Sequence, residues 1–269
     1  MPTAEEYRRI ENGPQCPQER IWWDKYSHEN LEKWRQVCDD PADACTAVIK
    51  RGRPSDMLDE VMARAKEEGG VFQAFLDECN TVPGWVDFEE MEKGRRIFQR
   101  YAPMQGLVLM CSSLVEGYAH NKPAQVLVST GRLQRDVTKR IYETGQLLHN
   151  MVGKEGIKPG GQGHRTLMEV RLIHSAVRQF LWHGGKWDAD KYDQPINQED
   201  MAGTVLEFDF MVARGIRKLG INVTDEEMTL MHYYWRYAGH VLGVKEELLT
   251  TTIAEQEVLA LQLTSHLYQ

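Results

Sequence analysis

The sequence predicts an all-α protein folded as one multi-helix domain spanning residues 1–269. No segment sustains the period-2 alternation of a half-buried strand. Apolar residues instead recur at helical spacing, and helix-starting residues punctuate the chain at Asp40-Pro41, Pro54-Ser55-Asp56, Asp87 and Thr224-Asp-Glu-Glu. With 269 residues, 42% of them hydrophobic, the chain can bury a substantial core.

In chain order, residues 1–20 mix charges with Pro14 and Pro17 and hold no apolar run, so they are expected to be extended and carry no signal peptide. Asp40-Pro41 opens a helix over 42–50, and Asp56 begins another that runs to about Glu68, where Gly69-Gly70 interrupts it before 71–79. A helix from Asp87 is ended or kinked by Pro103. Residues 104–118 are apolar nearly all round, with Gly106, Ser112, Ser113 and Gly117 leaving room for a close neighbour. Helices are expected over 122–129, 132–152, the stretch holding 167–181, 197–220, 224–244, 245–250 and 252–268, with glycine-rich or polar loops at 153–163 and 184–194.

Composition removes whole classes. The balance of 32 basic against 40 acidic residues, a net −8, argues against a nucleic-acid partner. No run approaches the roughly 20 apolar residues of a membrane span, which points to a cytoplasmic protein with no membrane partner. Five widely spaced cysteines without a Cys-x-x-Cys pair fit reduced thiols, and remove zinc ribbons, iron–sulfur ferredoxins and covalently attached haem. There is no His-Glu-x-x-His, no paired Glu-x-x-His of a di-iron bundle and no Gly-x-Ser-x-Gly elbow. The glycine-rich 153–163 stretch lacks the Gly-Lys-Ser/Thr of a phosphate cradle. Glu116 and His120 are spaced to share a metal, although such a pair is more often a simple helix contact. The Tyr- and Trp-rich 230–240 stretch, with His232 and His240, reads as core.

Two stretches carry chemistry. Leu167, Val170, His174, Val177 and Leu181 form one helical stripe with an imidazole at its centre and Arg171 and Arg178 at i−3 and i+4 from it. A buried imidazole left unpaired costs about 1–3 kcal/mol, so His174 either meets a carboxylate within the core or binds a metal such as a porphyrin iron. Earlier in the chain, Val137, Arg140, Thr144, Leu148 and Met151 share a face. Arg140 and Thr144 there are either a paired guanidinium and a hydroxyl bonded to its own helix, or two donors facing a pocket where they could hydrogen-bond dioxygen.

Arg140-x-x-x-Thr144, the helix Arg171-Leu-Ile-His174-Ser-Ala-Val-Arg178, and the blocks 197–208 and 234–244 together resemble the MpaB-type oxygenase family, which includes the latex-clearing proteins. The resemblance covers about residues 90–245. It implies an all-helical domain enclosing one non-covalent b-type haem between central helices, with His174 as proximal iron ligand, Arg140 and Thr144 in the distal pocket, and Arg171 and Arg178 meeting the propionates or second shell. The implied function is a haem-dependent oxygenase or oxidase using dioxygen on a small unsaturated or aromatic substrate. A peroxidase-like enzyme and a non-enzymatic haem carrier or sensor are the alternatives. Glu143 stands where some rubber cleavers carry a lysine, and no glutamate matches their proposed base.

Overall fold

The computed structural model describes residues 3–49, 56–131, 137–185 and 187–267, and among them it contains no strand. The expected helix starts at Pro54-Ser55 and at Arg132 lie outside the described residues.

Local chemistry explains where the helices begin. The stretch expected to be extended is helical instead: α1 (Ala4–Asn12) is closed by a capping box between Thr3 and Glu6, and α2 (Pro17–Lys25) starts on a proline in its first turn. The charges that concealed these helices fasten them, since Glu6 pairs with Arg214 and Arg9 with Glu19. After α3 (His28–Trp34), Asp39 caps α4 (Asp40–Val48) through the Ala42 amide. Helix α5 (Met57–Glu68) stops at Gly69, whose φ of 65° suits glycine, and α6 (Gly70–Asn80) restarts at once.

Helix α7 (Phe88–Arg100) leads to α8 (Ala102–Val108), with Pro103 in the first turn. The predicted apolar helix over 104–118 is not uniform. A π turn (Leu109–Ser113) separates α8 from α9 (Leu114–Ala119), after which α10 (Asn121–Ser129) follows. Helices α11 (Val137–Val152) and α12 (Gln162–His183) form an antiparallel hairpin closed by the glycine-rich loop. The 184–194 loop contains the single turn α13 (Ala189–Tyr192).

The helix expected over 197–220 breaks into α14 (Gln198–Phe208) and α15 (Phe210–Lys218). The break falls at Asp209, whose buried carboxylate accepts hydrogen bonds from His232 Nδ1 at 2.8 Å and from Gln256. Helix α16 (Asp225–Val241) starts on the predicted Thr224 capping box, a short 3₁₀ turn (Glu246–Leu248) replaces the expected helix over 245–250, and α17 (Ile253–Leu267) closes the chain.

The core is built round α16, where Met231, Tyr234, Trp235, Tyr237, Ala238 and Val241 are all buried and Trp235 stacks on Phe208 and meets Phe98 of α7. Helix α12 lies between α11 on one side and α4 and α5 on the other. Its fully buried side carries charge. Arg171 grips Asp39 with two hydrogen bonds of 2.6 and 2.8 Å and also pairs with Glu78 of α6. Two turns on, Arg178 donates to Asp43 of α4 at 2.8 Å and to the Ile196 carbonyl at 3.0 Å. Ser175, between them, bonds both Asp43 and Thr46. Truncating one partner of such a buried pair strands the other charge, at a cost of about 3–5 kcal/mol. Arg171→Met is therefore expected to lower unfolding free energy by about that amount in urea titration; a loss under about 1 kcal/mol would show that this ladder does not fix α12.

Candidate active site

The hairpin sets the register of the two candidate stretches. At its closed end a Cβ on Gly163 would lie 2.6 Å from the Met151 Cα, so only glycine permits the approach, and Asn150 donates to the Thr166 hydroxyl at 2.9 Å. Moving the same number of residues back from Met151 and forward from Gly163 reaches Arg140 and His174, about 16 Å up the hairpin at 1.5 Å per residue. Thr144 falls about one turn nearer the closed end. The structure thus brings His174, Arg140 and Thr144 to neighbouring levels of two packed helices.

The stripe through His174 runs as predicted, but it is not uniformly sealed. Leu167 and Leu181 at its ends are 0% and 1% exposed, whereas Val170, His174 and Val177 between them are only half-buried. The stripe is therefore closed at both ends and partly accessible in its middle, around the imidazole. The facing stripe of α11 loosens towards the same level: Met151 is buried, Leu148, Thr144 and Arg140 are half-buried, and Val137 and Ile141 are exposed. Around the π turn Leu107, Met110, Val115 and Tyr118 are exposed, and Tyr118 meets Arg140 of α11.

Two donors at this level are free of the partners expected of them in an ordinary core. Thr166, Thr204 and Thr229 bond the carbonyl four residues back at 2.8–2.9 Å. Thr144 does not, and among the described residues its hydroxyl meets no partner. Arg140 has no carboxylate among the described residues. Its guanidinium instead donates to the Tyr118 hydroxyl at 3.1 Å and lies over that ring, leaving most of its five N–H groups available.

Arg171 and Arg178, expected at propionates or in a second shell, are accounted for by the chain's own Asp39, Glu78 and Asp43. Their positive charge is neutralised inside the protein, so they position α12 and do not offer a free cation to an anionic ligand. Glu116 and His120 belong to no cluster of three metal-ligating side chains among the described residues. Burial holds His120 far below the usual imidazole range, at about 4, which leaves it neutral near pH 7.

The model for "ER-bound oxygenase mpaB/B'/Rubber oxygenase, catalytic domain" matches residues 97–266 of this chain. The chain belongs to this family. Among solved structures it is similar to latex clearing protein LCP in the closed state, with a TM-score of 0.71 and 22% identity over 87% of this chain and 66% of that one. This likeness shows a shared all-helical fold, and this chain spans less than two thirds of the LCP chain's length. No curated protein matches it. Among the described residues no helix is long and apolar enough to cross a membrane. The family region begins at the end of α7 and contains the π turn, the hairpin and α16, so His174, Arg140 and Thr144 all lie within it.

One group near the π turn was invisible in the sequence. Glu207 of α14 presses its carboxyl so closely on Gly117 of α9 that a Cβ there would lie 1.9 Å from a carboxylate oxygen. Burial, and the Glu116 carboxyl beside it, push Glu207 up to about 8. An acid whose pKa rises on folding stabilises the fold fully below its unfolded value, and that contribution is lost as pH rises through about 8. Glu207→Gln should flatten the fall in melting temperature between pH 6 and 9, and a wild-type slope left unchanged in the variant would show that Glu207 is not its source.

Proposed function

We propose that this chain is a haem-b-dependent oxygenase acting with dioxygen on a small organic, unsaturated or aromatic substrate. The observation that carries the reading is the half-buried stretch of α12 centred on His174, at the register where the paired helix α11 carries Thr144 and Arg140, the latter meeting Tyr118 and no carboxylate among the described residues. Membership of an oxygenase family supports the same chemistry.

The residues fit the cofactor. An imidazole can take the iron, and a guanidinium and a hydroxyl on the paired helix can donate to an oxygen ligand, so the donor set suits a haem. When bound, haem supplies the iron redox chemistry through which dioxygen reacts with organic molecules. His174 is the residue that would hold the iron from the α12 side. Arg140 and Thr144 bring a cation and a hydroxyl to the facing helix, where they orient dioxygen or substrate by charge-assisted and neutral hydrogen bonds.

Arg171 and Arg178 act indirectly, by fixing the rotation of α12, the helix that carries His174. The cysteines are free thiols, and burial pushes Cys45 and Cys79 up to about 12 and 11, which suits a reducing cytoplasm.

Haemin titration tests the reading. The wild-type chain is expected to develop a Soret band at one equivalent and His174→Ala to lose it, while a variant with an unchanged band would remove His174 as the ligand. Thr144→Val should bind haem normally and turn over at least about tenfold more slowly, since a positioned donor contributes only where charge develops. Equal turnover by the variant would place the hydroxyl outside the site.

A further inference from the structure

Arg140 is held differently from the other arginines near the site. Arg171 and Arg178 are each fixed by a carboxylate and at least one further acceptor, and Arg35 is fixed by Asp193, Glu199 and Asp200. For Arg140 the described partner is one side chain, Tyr118, which contributes both a hydroxyl acceptor at 3.1 Å and a ring 5.3 Å from the guanidinium carbon. Arginine side chains are long and lose much rotamer freedom when ordered, so an arginine with one partner points where that partner directs it.

Tyr118 comes from a third helix. It lies on α9 just beyond the π turn, whose extra residue shifts the register of everything after it. After that shift the Tyr118 ring meets Arg140 of α11. The ring remains 36% exposed, so it is not there to fill the core.

We propose that Tyr118 is a positioning residue of the site: its hydroxyl and ring hold the Arg140 fork so that the guanidinium's remaining N–H groups face the space in front of His174. The proposal rests on the haem reading above. It makes the π turn part of the site, because a continuous α-helix would carry Tyr118 to a different side.

The test uses the haem-loaded full chain and an anionic probe, azide, titrated by absorption. A fixed guanidinium should favour the anion, so Tyr118→Phe, which keeps the ring and removes the acceptor, is expected to weaken azide binding about tenfold while haem stoichiometry stays unchanged. Arg140→Lys, which keeps the charge and loses the fork, should give a similar loss with Tyr118 intact. In the Arg140→Lys background, Tyr118→Phe should have no further effect. Azide binding to Tyr118→Phe at wild-type affinity, or losses that simply add in the double variant, overturns the proposal while leaving the haem reading in place. A wild-type chain with no Soret band overturns both.

Discussion

The buried charge ladder between α12 and the N-terminal helices governs the rest of the structure. A helix carrying Arg171, Ser175 and Arg178 on one side can pack there only if acids meet them, and Asp39, Asp43 and Glu78 do so at hydrogen-bonding distance. Bidentate geometry at Asp39 fixes rotation as well as position, because a guanidinium fork satisfied at both oxygens tolerates little twist. With that side locked, the stripe through Leu167, His174 and Leu181 has one direction left to face. The register of the α11–α12 hairpin brings Arg140 to the same level as His174.

The two sets of polar groups follow opposite logic. On the locked side the arginines are neutralised and their hydrogen bonds completed, as low dielectric surroundings require. On the open side Thr144 leaves its own helix carbonyl alone and Arg140 rests on a phenol. Uncommitted donors beside half-buried apolar surface are costly in a protein with nothing to bind there, and useful in one that must meet a developing negative charge. The same division separates positioning from chemistry: substitutions at Asp39, Asp43, Arg171 and Arg178 should act through stability, those at Arg140, Thr144 and Tyr118 through ligand affinity and turnover.

Much of this was legible in the sequence, because it depends on short-range periodicity. The His174 stripe, the shared face of Arg140 and Thr144, the Thr224 capping box and the stop at Gly69 are all set within a few residues. What escaped depends on partners far apart in the chain. Arg171 and Arg178 were expected at propionates or in a second shell because the acids that meet them, Asp39 and Asp43, lie more than 130 positions earlier. The first helix was obscured by its own charges, which match partners at Glu19 and Arg214. The π turn has no compositional signature, and without it neither Tyr118 nor the contact of Glu207 with Gly117 could be placed.

The family match assigns the chain to oxygenase catalytic domains, and the proposed haem site is centred on His174. Complementation of the imidazole tests it most directly. In His174→Gly the ring is removed and its space kept, so free imidazole added with haemin should enter the gap and restore a wild-type absorption spectrum that the variant lacks on its own. A His174→Gly spectrum that matches wild type without imidazole, or one that imidazole leaves unchanged, would contradict coordination from this position.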